Sequence, residues 1–578
     1  MRMQPEVLLV LVVLVVGIEP LPASQEASVD RCVATSESKM EYVCNDGEYE
    51  ITNNLVFSSK DVTIICKETR LNCSRFPSVD FGSNQTVNKL TILKCGIDEP
   101  MSCFLAKMKI ADVKKVYLTN LLMPLTARHI EGLRATTHLL IYNTVTPSMQ
   151  KPILHEISAL LPRLVGLTIT GSQLTLAPGL LQAPLLEYLE LLADSISDLP
   201  PGSFRGLSSL DRLLLWNNAI VDINNDTFAG LEKVRKVDLT KNRISVLRGG
   251  ALSPLRGLET LFLEKNPLRH LYDGFLQGLD HLNLIQISSS EPLILDPRAF
   301  ADIKSLRYVI LKECRLQELP STVFQGSKAI QKLTLKNNRI ERLHPEVFRD
   351  QTEMIRLDLS ENQLTNIAVD LFIPLKKLEE LYLSSNQLEI FPDALFSALT
   401  SLHTLSVANN KLTQIGATAF QGAPLGLLTP EEKNKEYYGT VYCIKDGIIR
   451  MQILDKFIED VCQIWSLVPT EPNPSRHIMS QSNSNDDPFV GKHMTVDLRN
   501  NNISTIFLDS LSIPQQKTPA YFTLDQNPLK CDCEIYSFVK LATSSNHTQN
   551  SPESARCNAP TWLQGTGLTR LSLGDSVC

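Results

Sequence analysis

The sequence predicts a curved α/β solenoid, in which short parallel strands stack into one concave sheet closed at each end by a cysteine-rich cap. Three observations carry this. An apolar frame returns every 24 residues through ten consecutive units without insertion or deletion. Asparagine recurs at one slot of that frame. Of the 13 cysteines, all but three lie before or after the repeated region, six ahead of it and four behind. A 578-residue chain that is 43% hydrophobic and 21% charged is long enough for several ordinary domains, and this periodicity gathers most of it into one stack.

The frame is clearest at Leu186, Leu189, Leu191 and Ile196, ending at Leu199. It restarts at Leu210, Val234, Leu258, Leu282, Leu306, Ile330, Met354, Leu378 and Leu402. An earlier unit starts at Leu164, weaker ones near Val113 and Thr136, and further ones around Val496 with Leu498 and Phe522 with Leu524. The frame L-x-x-L-x-L-x-x-N-x-L resembles the leucine-rich repeat, which implies a horseshoe solenoid. Its L-x-L core is a strand whose alternate side chains face opposite ways, so stacked units bury a leucine core that no single unit could bury alone. The ninth slot holds Asp194, Asn218, Asn242, Asn266, Ser290, Cys314, Asn338, Asn362, Asn386 and Asn410. Buried amides there can bond backbone groups that a tight turn leaves unpaired, an architectural signal. A second column reads Phe204, Phe228, Leu252, Leu276, Phe300, Phe324, Phe348, Phe372, Phe396 and Phe420. Such rings fill the core behind the sheet and, being bulky, bend the stack around strands ~4.8 Å apart. A ligand box is the weaker reading of the same column.

Residues 1–23 read as a secretory signal peptide, with Arg2, the apolar run Val7 to Val16, and small residues at Ala23 and Ser24. Ten apolar residues are too few for a membrane anchor, and no later run reaches the ~18 that a spanning helix needs. The segment 24–105 is expected to be a cap containing Cys32, Cys44, Cys66, Cys73, Cys95 and Cys103. Repeats follow over 106–423 and 491–530, and 531–578 forms a second cap with Cys531, Cys533, Cys557 and Cys578. A C-x-C pair could also hold a metal, but further ligands are missing, so no metal is expected. Sequons at Asn72, Asn84, Asn225, Asn502 and Asn546 suit an extracellular surface. Between them the frame breaks: 424–490 reads as an inserted excursion, with a ligand contact or a gene-model error as alternatives. Within it Ile449, Ile453, Phe457, Val461 and Ile464 recur at three- and four-residue steps, predicting a helix over Ile448 to Trp465. If Cys443 and Cys462 pair, the segment must fold back, with Gly447 a candidate turn, because one straight helix would hold them ~28 Å apart.

The N-terminal block reads E-Y-V-C-N-D-G-E-Y-E-I from Glu41, S-K-D-V-T-I-I-C from Ser59 and L-T-I-L-K-C from Leu90. With V-D-L-R-N-N-N-I from Val496 and N-P-L-K-C-D-C-E-I-Y-S-F-V from Asn527, it resembles the ectodomain of insect Toll receptors, from leader through first C-terminal cap. The resemblance implies pairing of Cys531 with Cys557 and of Cys533 with Cys578, where four cysteines alone allow three connectivities. It implies a Spätzle-like dimeric cystine-knot cytokine as ligand, a receptor homodimer as the signalling assembly, and a location outside the cell. By the same resemblance, membrane attachment would run through a helix, and signalling through a cytoplasmic TIR domain beyond it, neither of which is expected within these residues. The insertion and the extra pair Cys73 and Cys103 depart from the family pattern.

Residues flanking the strand leucines should face the concave side and be polar if solvated. Lys332, Thr334, Lys336, Arg356, Asp358, Ser360, Thr404 and Ser406 fit. Tyr188, Leu192, Leu214, Trp216, Phe262, Leu284, Tyr308 and Ile310 do not, and they predict an apolar patch for a protein partner. Packing of these side chains on one another or under the caps is the competing reading. A secreted or adhesion-type repeat protein, acting as scaffold or immune binding factor, is the other functional reading. The net charge of −7 gives no basis for nucleic-acid binding. No hydrolase, zincin or phosphate-loop motif is present, so neither an enzyme nor a cofactor is expected. The cysteine left over is Cys314, in an asparagine slot, and it reads as a buried structural thiol.

Overall fold

The computed structural model describes residues 61–142 and 151–415 with short gaps, the strand backbones between 32 and 60 and between 439 and 454, and the segments 495–503, 521–530 and 556–559. The architecture is a parallel-strand leucine-rich repeat solenoid. Strands Tyr188–Leu192, Arg212–Leu214, Lys236–Asp238, Thr260–Asn266, Leu284–Ser289, Tyr308–Leu311, Lys332–Thr334, Arg356–Asp358, Glu380–Tyr382 and Thr404–Ser406 pair in sequence order, each shifted by one repeat from the last. The frame leucines Leu189, Leu213, Leu261, Leu333, Leu357 and Leu381 are fully buried in one column.

The turn after each strand explains the asparagine slot. Ala193, Asn217, Lys241, Lys265, Glu313, Asn337, Glu361, Ser385 and Asn409 all have φ between 53° and 59°, in the left-handed region. That region is uncommon for residues other than glycine, and something must hold the backbone there. The following asparagine does so. Asn242 Nδ2 donates to Leu215 O and Leu239 O, both at 2.9 Å, while its Oδ1 accepts from Ile220 N at 3.1 Å. Asn266, Asn338, Asn362, Asn386 and Asn410 repeat the pattern, tying each turn to the one before. Cys314 stands in for an asparagine. Its Sγ reaches Ile287 O at 3.5 Å, the carbonyl an amide would take, and it is fully buried. Burial pushes its thiol up to about 12, so it is a structural group with little thiolate character.

Behind the sheet, Phe204, Phe228, Phe300, Phe324, Phe348, Phe372 and Phe396 are fully buried. Their rings meet in places, with centroids 5.8 Å apart for Phe300–Phe324 and 6.3 Å for Phe372–Phe396. At the turn where the column holds Leu276, the ring comes from Phe275, edge-on to Phe300 at 5.5 Å. Phe420 lies outside the described residues.

The parallel ladder begins earlier than the leucine frame suggests. Ser59–Cys66 pairs with Gln85–Leu93, then Ile110–Thr119, His138–Tyr142 and Gly166–Thr170 follow in parallel, so parallel strands already run within 24–105. An antiparallel meander, Cys32–Ser36, Glu41–Cys44 and Tyr49–Val56, covers the open edge at Ser59–Cys66. Disulfides Cys66–Cys95 and Cys73–Cys103 pin this end, and Cys32 and Cys44 are register partners in the meander. Cys557 is disulfide-bonded to a residue outside the described set. Cys462, Cys531, Cys533 and Cys578 also lie outside it.

At the break, Thr404–Ser406 pairs directly with Thr495–Asp497. The ladder crosses too, since Leu412 N donates to Asn501 Oδ1 at 3.1 Å and Asn501 Nδ2 to Val407 O at 3.2 Å. The predicted helix is corrected: Ile448–Leu454 is a strand, antiparallel to Gly439–Lys445. Ile449 and Ile453 are four apart, which suits a helical face and strand alternation equally. The deciding signal is Asp446-Gly447 between the strands, a dipeptide suited to a two-residue hairpin turn. Phe457, Val461 and Ile464 lie outside the described residues. Thr404 and Thr495 stand 91 positions apart, one 24-residue period more than the 67 residues of 424–490. Deleting 424–490 is therefore expected to leave the solenoid folded, with a denaturation midpoint close to that of the intact chain. A collapse of the cooperative transition would show that the excursion is part of the core.

Candidate ligand-binding face

The strand register sorts the outward side chains into rows. One row runs Lys115, His138, Gly166, Tyr188, Arg212, Lys236, Thr260, Leu284, Tyr308, Lys332, Arg356, Glu380 and Thr404. The next includes Glu190, Leu214, Asp238, Phe262, Gln286 and Ile310. The eight residues expected on this face do occupy its outward slots, but they do not form one exposed patch. Leu192 and Leu214 are buried, at 8% and 3% exposure, so they offer a partner almost nothing. The other six are half-buried. Phe262, Leu284, Tyr308 and Ile310 form one cluster, with Leu284 and Tyr308 as direct register partners. Tyr188 and Trp216 stand apart from it and from each other, since Tyr188 is the register partner of Arg212, four positions before Trp216. Lys236–Asp238 runs between the Trp216 turn and the cluster.

Cations lie over the aromatic rings of this face. Lys241 Nζ is 5.3 Å from the Trp216 ring centre, Lys236 Nζ 5.1 Å from that of Phe262, and Lys89 Nζ 5.5 Å from that of Tyr117. These are cation–π distances, so each ring keeps an apolar edge beside a charged rim. Burial raises the carboxyl pKa of Asp238 above its ordinary value, against hydrogen bonding from Thr240 N and the nearby Lys236 ammonium. Glu190, at 1% exposure, accepts from Thr168 Oγ1 at 2.9 Å.

The later strands are polar, as their sequence indicates. Arg356 Nη1 meets Glu380 Oε2 at 2.8 Å and lies over Tyr382, whose hydroxyl donates to the same carboxylate at 3.0 Å. Sequence reasoning placed weak units near Val113 and Thr136 but missed their outward side chains: Tyr117, Leu140 and Tyr142 take outward slots and Tyr142 is 42% exposed. The alternation in Leu139-Leu140-Ile141-Tyr142 carried that signal. A recess of about 480 Å³ lies where Ser289 and Ser290 interrupt the asparagine ladder, lined also by Arg315, Arg339 and Gln363. Among the described residues, the group Cys73, Glu99 and Cys103 has metal-ligand spacing, but its two sulfurs are bonded to each other. Asn72, Asn225 and Asn502 are exposed; Asn84 and Asn546 lie outside the described residues. No helix among the described residues is long and apolar enough to cross a membrane.

Parallel strands in one-repeat register, an asparagine ladder and oxidised terminal cysteines define a leucine-rich repeat solenoid of the disulfide-stabilised kind found outside the cell. The leucine rich repeat family model matches residues 184–244, 208–268, 256–316, 304–354, 328–388 and 377–425. Among solved structures, the chain is similar to the Drosophila Toll–Spätzle complex, at 21% identity and a TM-score of 0.60, over 95% of this chain and 76% of that one. The glycosylated form of that complex gives a TM-score of 0.59 at the same identity and coverage. The mouse RP105/MD-1 complex follows at 18% identity and a TM-score of 0.55, over 86% and 75% of the two chains. The chain shares the fold of these proteins. No curated protein sequence matches it significantly.

Proposed function

We propose that this chain is the extracellular ligand-binding region of a Toll-type receptor, and that its concave face takes a Spätzle-like dimeric cystine-knot cytokine whose binding assembles receptors for signalling. The observation that carries this is the cluster of Phe262, Leu284, Tyr308 and Ile310 on the sheet face, with half-buried Trp216 further along it. Half-buried Trp and Tyr on a rigid sheet are the kind of anchor that dominates protein interfaces. The fold likeness to the Toll–Spätzle complex, extending over 95% of the chain, supports the ligand class.

The test is binding of a recombinant Spätzle-like dimer to the full secreted chain and to a Trp216→Ala/Phe262→Ala variant. The double variant is expected to bind roughly 100-fold more weakly, since two central aromatic anchors contribute about 1–2 kcal/mol each or more. Its circular dichroism should be unchanged, because both side chains face outward. Equal affinity in the folded variant would remove the site from this face. Failure of the intact chain to bind would remove the ligand class, and binding without pairing of two chains would favour a scaffold.

A further inference from the structure

Three lysines converge near one buried carboxylate at the edge of the concave face. Glu264 is 6% exposed and accepts no hydrogen bond at Oε1. The nearest cation to that oxygen is Lys312, whose Nζ reaches across the intervening turn to 3.4 Å. Lys241 and Lys265 stand on the two adjacent turns, both in the left-handed position before a ladder asparagine, φ 57° and 53°. That backbone fixes where both side chains leave the turn. Lys265 is exposed, and no ion-pair partner is found for it among the described residues. Three cations around one buried anion leave this part of the face positive.

The strain between them is visible in Lys241. Burial, and then repulsion from Lys265, lower its ammonium pKa below the ordinary value, with Glu264 only partly opposing. Of the other charges nearby, Asp238 lies in the field of Lys236, Lys336 pairs with Glu361 at 3.2 Å, and Glu313 lines the flank recess with Arg315. An incoming anion would therefore relieve repulsion and not merely add a surface pair. It would also arrive beside Trp216, over which Lys241 already sits.

We propose that Lys241, Lys265 and Lys312 form a docking site for an acidic segment of the protein ligand, two or more closely spaced carboxylates that meet the lysines while apolar groups cover Trp216. The inference rests on the concave face being the binding face. It commits to a protein segment because Lys241 sits over the Trp216 ring, a mixture of apolar anchor and charged rim that suits protein partners. Carboxylates three or four residues apart on a helix lie ~5–6 Å apart, near the ~4.8 Å between strands.

The test uses the full chain carrying Trp465→Phe and Trp562→Phe, so that emission reports Trp216 alone. Hexaglutamate is expected to change that emission saturably and to bind more weakly as salt rises. Lys241→Gln with Lys265→Gln is expected to weaken binding by roughly tenfold, and Glu264→Gln to tighten it by roughly threefold or more, as charge pairs at interfaces do. Lys265→Gln alone, at an exposed side chain, keeps the test valid should the double variant fold poorly, with a weakening of about threefold expected. Equal titrations in wild type and in the lysine variants would overturn the site. So would a weaker complex with Glu264→Gln. Saturation by inorganic sulfate with no response to hexaglutamate would overturn the protein segment in favour of a small anion. None of these readouts uses the cytokine, so a failure of the ligand assignment and a failure of the lysine site remain distinct.

Discussion

Replacing Asn338 by alanine is expected to destabilise the solenoid by about 4 kcal/mol, read from urea denaturation. The size follows from what one amide holds. Asn338 Oδ1 accepts from Cys314 N at 3.0 Å and Leu316 N at 3.1 Å, and Nδ2 donates to Leu311 O at 2.7 Å and Leu335 O at 2.8 Å. Alanine leaves all four backbone groups without this partner in a buried setting, at about 1–3 kcal/mol for each that finds no replacement. Water entering the cavity satisfies some of them, so the sum falls short of additive. Asn338→Cys is expected to cost about half as much, because Cys314 shows a thiol reaching the same class of carbonyl in its own turn. Equal losses for the two variants would mean that volume, and not hydrogen bonding, sets the energy of this slot.

That slot also shows what was legible in the sequence. A position that must satisfy four backbone groups admits few residues, so the asparagines stand out at a fixed spacing. The same holds for the leucine column and the rear phenylalanines, where full burial enforces residue type. Asn501 and Asn527 belong to the ladder as well, with Asn527 Oδ1 accepting from Ile503 N at 3.1 Å. They fall outside the unbroken 24-residue frame and were hidden by the insertion. The strands Ser59–Cys66 and Gln85–Leu93 were hidden, and those at Val113 and Thr136 faint, for a related reason. Register partners Asp61, Lys89, Lys115, His138, Gly166 and Tyr188 advance by unequal steps, and Val, Ile and Thr replace much of the leucine.

The concave face was only partly legible, because alternation gives the direction of a side chain and not its accessibility. Leu214 points outward as predicted, yet lies in register between Glu190 and Asp238 and is 3% exposed. The lysine cluster had no sequence signal at all. Lys241 and Lys265 lie a full repeat apart, and Lys312 a further two turns on, so only the stack brings their charges to Glu264.

Phe324→Ala is expected to cost about 3–5 kcal/mol, the usual range for emptying a buried aromatic site. Phe324 is fully buried, with its ring 5.8 Å from that of Phe300. The turns on either side cannot close in, because their own rings and the ladder asparagines fix the spacing. Phe324→Leu is expected to cost roughly 1 kcal/mol, as for other hydrophobic replacements close in volume, since Leu252 occupies the same column while remaining fully buried. In a solenoid each turn meets only its neighbours, so the loss should be local. Amide exchange should quicken across the turns from about Phe300 to Phe348 and carry the strand Tyr308–Leu311 with it. The strands Arg212–Leu214 and Lys236–Asp238 should keep their protection while the far aromatic cluster and Lys312 loosen, so the hexaglutamate response should weaken without being lost. Uniform loss of protection along the chain would contradict this, and would mean that the solenoid unfolds as one unit whose rear column serves the whole face at once.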